Sequence, residues 1–172
     1  FSSRFASLEE LTPVRNFMDK TFLENGRDPD TMRLGLLSYC CINDDPAVID
    51  DYLENCRFQQ RIARSLRERR ENMEDDYWVA ETPFDAEPTL EEAAAHALAG
   101  NVETVTERAV AIIKEVRPSH MTFYFQVGAV PNEVAVHSMV RWISEVMPSI
   151  EKAMGMPIDA INVPKPLSDA AD

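Results

Sequence analysis

Apolar residues run almost unbroken through two short stretches of the chain and fall at helical spacing through most of the rest. The first stretch is Met32 to Ile42, MRLGLLSYCCI, in which Gly35 is the only breaker. Its lack of clean alternation predicts a strand covered on both faces. The second is Met121 to Val127, aromatic and β-branched, which predicts a buried strand. A turn, Gly128-Ala129-Val130, follows it, and Pro131 sits where a first helical residue belongs. The helix is predicted to run to Met147 and to stop at Pro148. Strand, glycine turn and helix form half of a βαβ unit. Ligands in parallel α/β folds bind at the C-terminal ends of strands, so Gln126 to Val130 is where function is sought.

The remaining elements are helical. Ser7 to Glu10 fits a capping box, and Thr12-Pro13 offers a second start, so we expect a short turn and then a helix from about Pro13 to Asn25. Val14, Phe17, Met18 and Phe22 make its apolar stripe, and Gly26 ends it. Asp45 and Pro46 cap a long helix whose buried side is Ile49, Leu53, Cys56, Ala63 and Leu66. Beyond Leu66 both signs of charge alternate, as on a solvated helix end. Residues 77–88 break all periodicity; their aromatics suit either a surface loop or a lid that folds over a ligand. A second capping box at Thr89 to Glu92 opens a short helix to Ala99, which Gly100 ends. Asn101 caps a further helix from Val102 to Val116, and Arg117-Pro118 breaks it. Met156 to Asp172 carries three prolines and no period, the pattern of an arm or disordered tail. Strands that alternate with helices argue for a parallel α/β fold, although two clear strands are too few for a complete sheet.

Composition narrows the function. The 172 residues hold 17 Lys and Arg against 30 Asp and Glu, a net charge of −13, which repels nucleic acid and anionic membrane surfaces. The three cysteines, Cys40, Cys41 and Cys56, are odd in number, with two adjacent. That is not a disulfide framework and suits a reducing cytoplasm. No run reaches transmembrane length, and the N-terminus lacks the regions of a signal peptide. The first residue is not Met, which fits a processed, trimmed or partial polypeptide.

Motifs for chemistry are few. His96, His120 and His137 form no metal-binding pair, and the acidic clusters lack calcium-loop spacing, so no metal site is expected. Phosphate-loop, dinucleotide and nucleophile-elbow motifs are absent. Position is what remains: Cys41, Ile42, Asn43, Gln126, Gly128 and Ala129 follow or end the two strands. Gln126 is the sharpest case, a polar residue in an apolar strand. It suits a hydrogen bond to a cofactor ring or, equally, to neighbouring backbone. Gly128 suits a positive φ or the close approach of a ligand.

Two segments carry a family resemblance. Gly100-Asn-Val-Glu-Thr-Val with its helix, then His120 to Ile150 with Ser138-Met139 and Glu145-Val146-Met147-Pro148, resembles the C-terminal end of the bacterial luciferase-like flavin-dependent monooxygenases. Gly26-Arg27-Asp28-Pro29 and the strand after it are similar to the segment that precedes it in that family. The resemblance implies that residues 1–155 are the C-terminal part of a (β/α)8 barrel of TIM type, helix-rich with parallel strands, and that 156–172 are a tail. It implies reduced FMN from a separate flavin reductase, or a deazaflavin, reacting with O2 to oxidise a small organic substrate. Gln126 and Gly128 would wall the flavin pocket; Asn43, Tyr77, Trp78 and Phe84 would border the substrate, with 77–88 as a mobile loop. No residue matches the family's catalytic or main phosphate-binding groups, so no catalytic residue is assigned. A half barrel leaves strand edges open, and a homodimer or pairing with an N-terminal half is expected. The alternative is a non-catalytic fragment or subunit that binds flavin or a partner.

Overall fold

Local signals set most of the helix starts in the computed structural model, which describes residues 6–68, 73–74, 78–79, 83–85 and 87–167. Helix α1 (Leu8–Glu24) begins at the Ser7 capping box and passes through Pro13, so the turn and second start expected there are one continuous helix. Its buried side is Leu11 and Arg15, whereas Phe17 is 70% exposed, a correction to the predicted stripe. Arg15 tolerates burial because Nε donates to Asp19 at 2.8 Å and Nη1 to the Val116 carbonyl at 3.2 Å. Strand β1 (Gly35–Ile42) leads to helix α2 (Pro46–Glu68), where Asp45 Oδ1 accepts the Ala47 N–H at 2.9 Å. A small antiparallel ribbon, β2 (Met73–Glu74) and β3 (Trp78–Val79), follows.

Helix α3 (Leu90–Ala95) starts at the predicted Thr89 capping box but ends early. Leu98–Gly100 is a third strand, β4, rather than the helix end read from the sequence. Three residues are too few to show a period; pairing with β1 makes them a strand, with Cys40 opposite Leu98 and Ile42 opposite Gly100. Helix α4 (Val102–Glu115) has its predicted Asn101 cap. Strand β5 (His120–Tyr124) pairs with β1 from Gly35 opposite His120 to Tyr39 opposite Tyr124. It ends three residues earlier than predicted.

Pro148 does not stop the last helix. Helix α5 (Asn132–Arg141) widens into a π turn at Trp142–Val146 and continues as α6 (Met147–Met154). The Met147 N–H reaches back to the Trp142 carbonyl, five residues away, so the backbone makes room for a ring that lacks an N–H. The segment after α6 is anchored, as far as it is described: the Lys165 N–H donates to the Asp30 carbonyl at 2.9 Å, and Lys165 Nζ pairs with Asp28 and Asp30.

The fold is α/β with a three-stranded parallel sheet in the order β4-β1-β5. Helices cover both sides. Tyr39 and Cys41 of β1 pack with α2 and α3, while Cys40 and Ile42 pack with α4 and α6. The double coverage predicted for β1 is therefore present. A barrel would pair each strand with the next in the chain and keep its helices outside. Here β1 lies between β4 and β5, so the described strands form a three-stranded sheet, and a closed barrel is not present among the described residues. Among the described residues, no helix is long and apolar enough to cross a membrane.

Candidate functional site

The chain leaves β1 toward β4 and then crosses back past β1 to β5, so the order of strands reverses between β1 and β5. At such a switch point the connections diverge and open a crevice beyond the strand ends. Here the crevice is about 150 Å³ and is lined by Tyr39, Gln59, Tyr124, Gln126, Val127 and Gly128. Both cofactor-wall residues picked from the sequence thus fall in one place.

Tyr52 explains why the strands part there. Its buried hydroxyl accepts the Cys40 N–H at 2.9 Å and donates to the Tyr124 carbonyl. One side chain from α2 therefore replaces the next rung between β1 and β5. Two residues on, the Ile42 N–H donates to Ser138 Oγ of α5 at 3.0 Å. Burial leaves these backbone groups no water, so a side chain must meet them. Past Tyr39 and Tyr124 the β5 side of β1 is thus completed by hydroxyls from two helices.

The turn beyond β5 is held from within and from α2. Gln126 Nε2 donates to the Val130 carbonyl at 2.5 Å, and the Val130 N–H to the Val127 carbonyl at 3.1 Å. Of the two roles open to Gln126, the backbone one is occupied. The Ala129 N–H donates to Asn55 Oδ1 at 2.7 Å. Gly128 has φ +53°, and a Cβ there would lie 2.5 Å from Asn55 Oδ1. Glycine is required twice over, by backbone conformation and by the docking of Asn55. The rings of Tyr39 and Tyr124 lie 5.8 Å apart at 33°, with Tyr124 41% exposed and Tyr39 buried. Among the described residues, no charged side chain lines the crevice.

The substrate candidates are not gathered with it. Asn43 Oδ1 accepts the Asp45 N–H at 2.9 Å, a turn that leads into α2, and Asn43 does not line the crevice. Phe84 lies under the Arg64 guanidinium, 4.2 Å from ring centre to Cζ. Close by in sequence, Glu87 pairs with Arg57 at 2.9 Å and Arg61 at 2.5 Å, which fastens this part of the loop to α2. Tyr77 and the Trp78 side chain lie outside the described residues. The cysteines are buried, and burial raises all three thiols, Cys56 to about 12. None is a ready nucleophile.

Sequence reasoning missed Tyr39, Tyr124 and the α2 residues Tyr52, Asn55 and Gln59. A signal existed for the last three, because positions 52, 55 and 59 share one helical face. Polar groups on the face turned toward the core ask for partners.

No protein-family profile matches the chain. Its sequence is 24% identical over 148 residues to the uncharacterized protein y4vJ of Sinorhizobium fredii, a match that covers 86% of this chain and 42% of that protein. The crystal structure of riboflavin lyase (RcaE), with modified FMN and riboflavin, aligns over 95% of this chain and 40% of that one. That alignment has a TM-score of 0.43 and 12% identity. The chain thus spans about two fifths of the length of both these proteins.

Proposed function

We propose that the chain forms part of a flavin-dependent oxidoreductase of the luciferase-like type, which uses reduced FMN and O2 to oxidise a small organic substrate. The observation that carries this reading is the position of Gln126, Gly128, Tyr39 and Tyr124 around one uncharged crevice at the ends of two parallel strands. The order of motifs from Gly100 to Ile150 supplies the flavin.

The crevice suits the edge of a planar ring, with the exposed face of Tyr124 to stack on and the Gln59 amide to hydrogen-bond it. It does not suit the whole cofactor. Ligand pockets usually measure ~300–1,000 Å³, and this one is about 150 Å³. A phosphate needs a cation or free N–H groups. The Ala129 N–H is taken by Asn55, and Arg141 is held by Asp44 at 3.0 Å and Glu145 at 2.9 Å. The phosphate holder and the groups that act on substrate therefore belong to residues beyond those described, in the same or a paired polypeptide. We derive no chemical step through the flavin. A deazaflavin ring would meet the same wall.

The second reading, a flavin-binding unit without turnover, is favoured by the structural employment of Gln126 and by the buried thiols. Oxygen uptake with enzymatically reduced FMN and a panel of aldehydes separates the two. Substrate-dependent uptake above the free-flavin rate supports the oxidoreductase. Flavin binding without such uptake supports the second reading, and no binding of any flavin contradicts both.

A further inference from the structure

Three polar residues of α2, Tyr52, Asn55 and Gln59, lie on one helical face. The first two are in structural use: Tyr52 bridges the Cys40 N–H and the Tyr124 carbonyl, and Asn55 accepts the Ala129 N–H. Gln59 lines the crevice, is half-buried, and makes no hydrogen bond among the described residues. It differs in this from Gln126, whose amide is committed to the Val130 carbonyl at 2.5 Å. The Gln59 carboxamide therefore offers the crevice an N–H donor and a C=O acceptor side by side in one plane. A ligand that covers it without matching both groups leaves a polar group dry and unpaired, which weakens binding about tenfold or more.

We infer that Gln59 reads the imide edge of a flavin's pyrimidine ring, so that the ring enters the crevice with its N3–H foremost. The inference rests on the flavin reading above and deepens it. Donor and acceptor counting selects the edge. The dimethylbenzene end carries no hydrogen-bonding group and would leave both ends of the Gln59 amide unmatched. The N1 and C2=O side presents two acceptors, as does the N5 and C4=O side of oxidised flavin, so there the Gln59 carbonyl would face a lone pair. The imide sets one donor, N3–H, between the acceptors C2=O and C4=O, and a carboxamide meets one of each. The N1 side also calls for a cation, and among the described residues no charged side chain lines the crevice. Exposed Tyr124 gives the same ring a face to stack on. The size agrees, since about 150 Å³ takes one end of a three-ring system and leaves the rest outside. Imide-first entry leaves the central ring, with N10 and its ribityl chain, toward the mouth.

The test is fluorescence titration of the full chain with lumiflavin and with 3-methyllumiflavin, in which a methyl group replaces the N3 hydrogen. Both lack the ribityl phosphate, so the titration reads the ring by itself. Wild type is expected to bind lumiflavin about tenfold or more tightly than the methylated ring. Gln59→Ala removes the amide and makes room for the methyl group, so the preference is expected to fall to within about twofold. This variant is expected to melt as wild type does, because Gln59 has no hydrogen bond to lose. A ring carbonyl stretch of bound lumiflavin is expected at lower infrared frequency on wild type than on Gln59→Ala. Equal binding of the two rings by wild type, or a preference that survives Gln59→Ala undiminished, would overturn the assignment and leave the flavin reading standing. No binding of lumiflavin at all would remove the flavin reading and the assignment with it.

Discussion

The two halves of β1 are built by different means. From Gly35 to Tyr39 the strand meets β5 rung by rung, backbone to backbone. From Cys40 to Ile42 that side is finished by Tyr52 and Ser138, while β4 pairs along the other. Backbone pairing asks only for extended chain, so many sequences satisfy it. Completion by side chains asks for particular hydroxyls at particular places, and it leaves a crevice where the strands separate. The candidate site therefore begins where backbone pairing ends, at Tyr39 and Tyr124.

This contrast can be broken by substitution. Tyr52→Phe should cost the most. It strands the buried Cys40 N–H and the part-buried Tyr124 carbonyl, at about 1–3 kcal/mol each, so ~2–6 kcal/mol of stability should be lost in urea unfolding. The amides of Cys40 and its neighbours should lose exchange protection before those of Leu36 to Ser38. Equal loss along the whole of β1 would mean that the two halves form one unit.

Gly128→Ala should cost less, about 1–3 kcal/mol, from backbone strain and the clash with Asn55. Asn55→Ala in the same chain should recover part of it, since the clash goes while the strain stays. If the double variant is no more stable than Gly128→Ala, Asn55 does not set the turn. Ser138→Ala should cost least, about 1–2 kcal/mol, because it orphans one donor, the Ile42 N–H. A neutral outcome would show that the end of β1 needs no hydroxyl from α5.

What was legible in the sequence divides along the same line. The Ser7, Thr89 and Asn101 caps were readable because cap and helix lie within a few residues. The two long strands were readable from unbroken apolar runs. Strand β4 was not, since Cys40 to Ile42 confer its strand character from some 58 residues away in the chain. The early end of β5 was hidden for a similar reason: Tyr124 stops pairing because of a hydroxyl 72 residues distant in sequence. The strand order β4-β1-β5 was hidden as well, because apolar patterns do not encode which strands pair. Gln126 and Gly128 were identified as important from their chemistry. Their immediate work proved to be holding the turn, with the crevice as its consequence.

The central claim is that this turn and the paired tyrosines make a wall for a flavin ring but offer nothing to its phosphate. Fluorescence titration of the chain with riboflavin and with FMN tests it directly. The account predicts weak binding of both, within about twofold of each other, abolished by Tyr124→Ala and unchanged by salt. FMN bound about tenfold or more tightly than riboflavin, or binding indifferent to Tyr124, would contradict it.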